Sequence, residues 1–408
     1  MFELTLVWDW VSFAVRWLHV ITAIAWIGSS FYFIALDLGL RKAPDLPVGA
    51  HGEEWQVHGG GFYHIRKFLV APESMPDHLT WFKWESYSTW LSGFALLMVV
   101  YWVGGELYLI DQSKAELALW QGILISAATL SIGWLIYDRL CKSGLADHPT
   151  LLMVLLFVLL VAMGWGLNQV FTGRAMMLHL GAFTATIMSA NVFFIIIPNQ
   201  KIVVADLKAG RTPDPKYGKI AKLRSTHNNY LTLPVIFLML SNHYPLAFAT
   251  QYNWIIAALV FLMGVTIRHY FNTCHARAGN PVWTWAVTAL LFIGIIALSS
   301  APMEYEGDEE EAVLSGSALV LAQADGFEEV QEVVIGNCSM CHAREPFWDG
   351  IRQAPKGVLL ETEADVARQG REIYLQAGVT HAMPPANVTY MEDDARAVIR
   401  RWYRNAGI

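Results

Sequence analysis

The chain has 408 residues, of which 55% are apolar, with 17 tryptophans and a positive mean hydropathy. That composition excludes an ordinary soluble globular protein and points to a membrane protein. The net charge of −7, without any basic stripe, excludes nucleic acid as a partner.

The N-terminus lacks the basic region and small-residue cleavage site of a signal peptide, so the first apolar run is expected to stay as a membrane helix. In chain order, eight apolar segments reach the ~20 residues that a spanning helix needs. They are 11–36, 86–104, 117–137, 150–170, 174–197, 228–246, 252–271 and 282–300. The sixth contains Pro234 and ends in Asn242, His243 and Tyr244. Lysine and arginine set the orientation. They collect in loop 37–85 (Arg41, Lys42, Arg66, Lys67, Lys83), in the next-but-one loop (Arg139, Lys142) and in 198–227, which carries seven. The intervening loops carry Lys114, Arg174 or none. Both termini therefore come out on the periplasmic side of a bacterial inner membrane, with lipid around the helices. Cys141 and Cys274 fall at cytoplasmic helix ends, where a disulfide is not expected.

Leu18-His19 in the first segment and Leu178-His179 in the fifth are each followed at equal distances by serine and phenylalanine: Ser29 and Phe33, Ser189 and Phe193. A parallel four-plus-four duplication within residues 1–302 is one reading of this spacing; chance matching in membrane sequence is the other.

Residues 303–326, with the acidic run Asp308–Glu311, read as a flexible linker. Residues 327–408 then suffice for one small domain. It opens with an amphipathic helix at 327–337 that leads into Cys338-Ser339-Met340-Cys341-His342. Cys-x-x-Cys-His is the signature of covalent c-type haem attachment, with two thioether links and an axial imidazole on the iron. The positive charges independently place this segment in the periplasm, where such haems are attached. Met383, in His381-Ala382-Met383-Pro384-Pro385, is the expected second iron ligand, because methionine–histidine ligation suits electron transfer. Met391 and His381 compete for that role. A closing helix at 392–405 would turn Ile399, Trp402 and Tyr403 inward. The expected fold is thus all-α: eight transmembrane helices followed by a class I-like cytochrome c domain.

Ionisable groups inside spans are candidates for function. His19 and His179 lie at matched depth and would ligate a b-type haem from opposite sides; the alternative is that each hydrogen-bonds within the bundle. Arg16 shares the face of His19. Asn168, Gln169, Thr172 and Arg174 form a set on the outer turn, where Arg174 could bind an anionic substrate or a haem propionate. A cytoplasmic set comprises His227, Asn228, Asn229, Arg268 and His269, with His58 and His64 flanking Gly59-Gly60-Gly61, and His78 nearby.

Together these stretches resemble the bacterial membrane-bound urate oxidase (urate hydroxylase) family. The resemblance is carried by Arg16-Trp17-Leu18-His19-Val20, the run 55–75 with its triple glycine, 171–200, His227–Thr232 through Ser241–Tyr244, and the Cys338–His342 motif. It implies oxidation of urate to 5-hydroxyisourate in purine breakdown. It also implies that electrons leave through the tethered cytochrome to a soluble cytochrome c or respiratory oxidase, rather than forming hydrogen peroxide. His179, Arg174, Gln169, His227 and His269 are the candidate catalytic residues, divided between an outer and an inner site. The competing reading is a non-catalytic cytochrome subunit relaying electrons between quinol and a terminal oxidase.

Overall fold

The structure, a computed structural model, describes residues 4–68, 76–112, 114–300, 314–351 and 354–407. It is mostly helical. The first helix, α1 (Leu4–Gly39), runs the length of the molecule. A hairpin of β1 (Ala50–His58) and β2 (Gly61–Phe68) follows, and then α2 (Trp84–Leu97), which widens into a π turn over Met98–Trp102. A single turn, α3 (Gly105–Tyr108), leads to α4 (Leu119–Lys142) and α5 (Pro149–Asn168). Next, α6 (Gly173–Ala190) passes through a second π turn, Asn191–Ile196, into α7 (Ile197–Lys208). The remaining bundle comprises α8 (Pro215–Ser241), the short α9 (Pro245–Phe248), α10 (Asn253–His275) and α11 (Trp283–Ser299).

Among the described residues, five helical stretches are long and apolar enough to cross a membrane: Leu6–Gly39, Leu119–Lys142, Pro149–Asn168, Gly173–Lys208 and Asn253–His275. The expected segment 282–300 forms the shorter apolar α11. Segment 86–104 is α2 with its π turn. Segment 228–246 is the apolar half of α8, whose basic first half was expected to be loop. Exposure supports lipid contact. Trp10, Phe13, Trp17, Ile21 and Ile24 of α1, and Leu290, Phe292 and Ile293 of α11, are exposed, and so much exposed apolar area is not stable in water. The stretch starting at Gly173 is the hub, with 67% of its apolar window buried against none for α1. Around it Tyr137, Leu156, Met176, Phe183, Leu238 and Phe261 form one core.

Two local features depart from the sequence expectation. Pro234 does not break α8, because Gly264 of α10 makes room for its ring: a β-carbon there would meet Pro234 Cδ. And loop 37–85 contains the antiparallel hairpin, with His58 paired to Gly61. Gly59 and Gly60 both take positive φ between them, the conformation a two-residue hairpin turn requires.

The C-terminal unit has a separate core of Val330, Val366, Tyr374, Ile399 and Trp402. It is built from α12 (Gly316–Ala322), α13 (Phe327–Cys338), α14 (Glu363–Arg368), α15 (Gly370–Ile373), a π turn over Tyr374–Val379, and α16 (Asp393–Asn405). The helix α12 lies in the stretch expected to be linker, yet Ala318 and Leu321 are buried in this core and the Leu321 carbonyl accepts the Trp402 indole N–H at 3.0 Å. The acidic run Asp308–Glu311 lies outside the described residues.

The unit rests on the end of the bundle where α1 begins. Arg371 pairs with Asp9 at 2.6 Å, Leu6 packs against the second core, and a β-carbon at Gly357 would meet the Phe248 ring. The same end carries the bridge between Ile110 and Phe171. The opposite end is tied by Arg277 donating to the Gly39 carbonyl, Lys208 to the Asp77 carbonyl, and Lys67 pairing with Asp37.

Candidate functional site

The attachment motif sits where α13 ends. The Cys338 and Cys341 thiols are not joined in a disulfide, and burial pushes the Cys338 thiol up to about 12. His342 Nδ1 lies 2.9 Å from the Val358 carbonyl. A carbonyl only accepts, so Nδ1 carries the proton and the Nε2 lone pair is left for a metal. Two unpaired thiols and an oriented imidazole fit a covalently held haem. Within coulombic range of Cys338, buried Arg396 gathers the loop that carries Met383. Its guanidinium donates to the carbonyls of Ala377 (2.6 Å) and Met383 (2.9 Å) and to Asn387 Oδ1 (3.1 Å). Met391 is 4% exposed within the core, and its own carbonyl accepts from Asn387.

Directly beneath the docked unit, α1, α2, α3 and α6 converge. Thr172 caps α6, accepting from the Ala175 N–H and donating to the Tyr108 carbonyl at 2.8 Å. This sets Arg174 in the first turn of α6, with its guanidinium over the Tyr108 ring at 4.7 Å and its Nε buried without a hydrogen-bond partner. Arg16 of α1 lies within coulombic range of Arg174, Tyr101 and Tyr108. Tyr101 belongs to the π turn after α2. The extra residue of such a turn rotates side chains out of the 3.6-residue register, and Tyr101 faces inward, 2% exposed, with its hydroxyl toward the Arg174 side chain. Its ring stands edge-on to His179, with centroids 5.6 Å apart.

His179 is sealed. Nδ1 donates to the Ala175 carbonyl (2.7 Å), and Nε2 accepts from the Ser126 hydroxyl (2.7 Å), which in turn accepts the Trp102 indole N–H (3.0 Å). His19 turns the other way, onto α2, with Nδ1 3.1 Å from the Thr89 carbonyl and 3.2 Å from Ser92 Oγ. The two rings thus engage different helices, and the His179 lone pair is already used. These residues do not fit a haem ligated between them. Thr186 and Ser189 likewise bond to Trp90 and Ser86 of α2. Of the outer-turn set, Gln169 is exposed and bonds to its own helix at the Trp165 carbonyl, while Asn168 Oδ1 is buried without a partner.

The set expected on the cytoplasmic side separates into four. His227 and Asn228 join a buried network that the sequence did not disclose. In it Arg224, 1% exposed, pairs with Asp138 at 2.6 Å and donates to Asn191 Oδ1 at 3.1 Å. Asn191, at the second π turn, donates to Tyr137 Oη and Asn228 Oδ1. Tyr137 then lies 2.9 Å from His227 Nδ1, and His227 Nε2 is buried without a partner. Arg268 bonds Asn229 and Asn272 and covers the Phe31 ring. His269 approaches only Tyr230 and Trp283. His64 stacks on Trp55 within the hairpin and pairs with Glu53. A cavity of about 750 Å³ lies at this end, between the hairpin and the ends of α1 and α10, lined by Tyr32, Arg41, Glu54, Trp55, Gln56 and His275. Among the described residues no cluster of His, Cys, Asp or Glu could hold a metal ion.

The sequence reading missed Tyr101, Tyr108, Tyr137, Asp138 and Asn191 as site residues. Asp138 offered the one signal, an acid at the end of an apolar helix.

A protein-family model described as urate oxidase N-terminal matches residues 5–299. No curated protein and no solved structure matches the chain.

Proposed function

Because the chain belongs to the urate oxidase N-terminal family, we propose that it is a membrane-bound oxidoreductase converting urate to 5-hydroxyisourate. Water supplies the added oxygen, and two electrons and two protons leave. The family match over residues 5–299 is the observation that carries this reading. In it all eight expected segments cross the membrane, the C-terminal unit faces the periplasm, and a soluble cytochrome c or respiratory oxidase is the final acceptor.

Cys338, Cys341, His342 and Met383 would hold a haem c, which would supply a one-electron acceptor. The chain's own residues prepare the rest. The Val358 carbonyl fixes the His342 tautomer. Arg396 holds the Met383 loop. The segment 355–358, whose Val358 carbonyl orients His342, is also where a β-carbon at Gly357 would meet the Phe248 ring, so the attachment site and the outer end of the bundle meet there. The distant cavity is unsuited to this chemistry. Asp9 and Leu36 sit at opposite ends of α1, and at 1.5 Å per residue they are roughly 40 Å apart. Electron tunnelling falls exponentially with distance and does not span that length without a relay.

The test is urate addition to purified full-length protein carrying its oxidised haem. Reduction of the haem spectrum, with 5-hydroxyisourate formed and no peroxide, is expected. Reduction by quinol but not by urate would instead identify a non-catalytic cytochrome subunit.

A further inference from the structure

At the docked end of the bundle, positive charge accumulates among the described residues. Arg16 and Arg174 are within coulombic range of each other, and His243 lies within range of both and of Lys356. Among the described residues no carboxylate pairs with either arginine. The nearby acids Asp9 and Glu372 are both taken by Arg371, at 2.6 and 2.9 Å. Two half-buried arginines within coulombic range of each other repel unless an anion offsets their charge. The hydrogen-bonding capacity points the same way. The buried Tyr101 hydroxyl interacts with the Arg174 side chain, while Arg174 Nε is buried and has no hydrogen-bond partner among the described residues, and such a group costs stability unless something fills it. The walls are aromatic. Tyr108 lies under the Arg174 guanidinium, and Tyr101 backs onto His179.

We propose that Arg16, Arg174 and the Tyr101 hydroxyl form the binding site for the urate monoanion, beneath the docked C-terminal unit. The inference rests on the urate reading above and adds the location. A guanidinium fork matches the adjacent oxygen and nitrogen edge of a planar anion, and the tyrosine rings suit its flat face. A lipid phosphate or a haem propionate carries the same charge. The aromatic walls and the cover of segment 356–357 over Phe248 favour a small planar ring reached from the aqueous side. His179, with both nitrogens spent, holds Tyr101 in place and is a positioning residue.

The experiment uses the full-length haem-loaded protein in nanodiscs of phosphatidylcholine. Equilibrium binding of urate to the reduced form and the urate dependence of haem reduction are measured for wild type, Arg16→Gln, Arg174→Gln and their lysine counterparts. Each glutamine variant should weaken urate binding by about 10- to 100-fold, the worth of a charge-assisted bond, and lysine should restore part of it. The haem midpoint potential without urate should not move. Unchanged urate affinity in both glutamine variants, while wild-type haem is still reduced by urate, overturns the site and leaves the urate reading intact. Arginine-dependent urate binding without haem reduction does the reverse. Displacement of urate by phosphatidylglycerol makes the site a lipid headgroup site and overturns the proposal. A shifted midpoint potential with unchanged urate affinity makes the arginines propionate ligands and also overturns it. If the glutamine variants do not fold, wild type alone decides the matter. An N-methylated urate that cannot ionise should bind at least ~10-fold more weakly than urate, and equal binding refutes an anion site.

Discussion

Asp138 and Arg224 form an ion pair at 2.6 Å, and both side chains are almost fully buried. Such a pair contributes little against apolar residues of equal size, but losing one member strands the other. Asp138→Asn should therefore lower stability by about 3–5 kcal/mol, seen as a fall in the thermal unfolding midpoint. The double variant Asp138→Leu with Arg224→Met should recover most of it; no recovery would mean the pair is not an isolated unit. The sequence placed Arg224 in a cytoplasmic loop because the apolar pattern begins at Asn228, whereas α8 begins at Pro215. Cys338, Cys341 and His342 were legible because attachment chemistry fixes their spacing locally. Tyr101 and Asn191 were not. Each sits in a π turn, where helical periodicity, the signal being read, fails.

At the level of elements, close approach decides where helices meet. Gly173 opens α6 against the end of α9, and a β-carbon there would collide with the Phe248 carbonyl oxygen. Gly173→Ala should displace the first turn of α6, and Arg174 with it. Poor yield of folded protein, or weakened urate binding if it folds, is the expected result; a wild-type unfolding midpoint with wild-type urate affinity would show that α9 simply yields. In the C-terminal unit, Arg396→Ala removes three bonds from the Met383 loop. It should lower the haem reduction potential, since methionine ligation is what holds it high. An unchanged potential would assign the second ligand elsewhere. The closing helix and the helix leading into the motif were readable from their amphipathic pattern. The hairpin was also readable in principle, since two glycines of positive φ between strand-like runs are a turn signal. It was passed over because the glycines were taken with their flanking histidines.

Across the whole molecule, the alternation of charged and uncharged loops agrees with the way the ends are sorted. Loop 37–85, the end of α7 and the α10–α11 connection gather at one end, and the C-terminal unit sits at the other. Residue pattern could not reveal that the C-terminal unit docks, because its contacts with Asp9 and Phe248 join distant parts of the chain. The Asp9–Arg371 bridge is partly exposed and is worth at most ~1 kcal/mol on its own. Asp9→Arg adds repulsion to that loss and should slow haem reduction by urate severalfold, while dithionite reduces the haem at the wild-type rate. Equal slowing with both reductants would argue against docking as the cause.

The shared address of Arg16, Arg174 and the attachment motif has an energetic consequence for the cell. Electrons taken and delivered at one face of the bilayer carry no charge through it. An elementary charge crossing the membrane would feel about 2.3 kcal/mol per 100 mV, and in the proposed arrangement none would cross. Turnover should therefore be voltage-indifferent. In sealed proteoliposomes, imposing or collapsing a membrane potential is expected to leave the rate unchanged, and the free energy of the reaction becomes available to the membrane only at whichever oxidase accepts the electrons next.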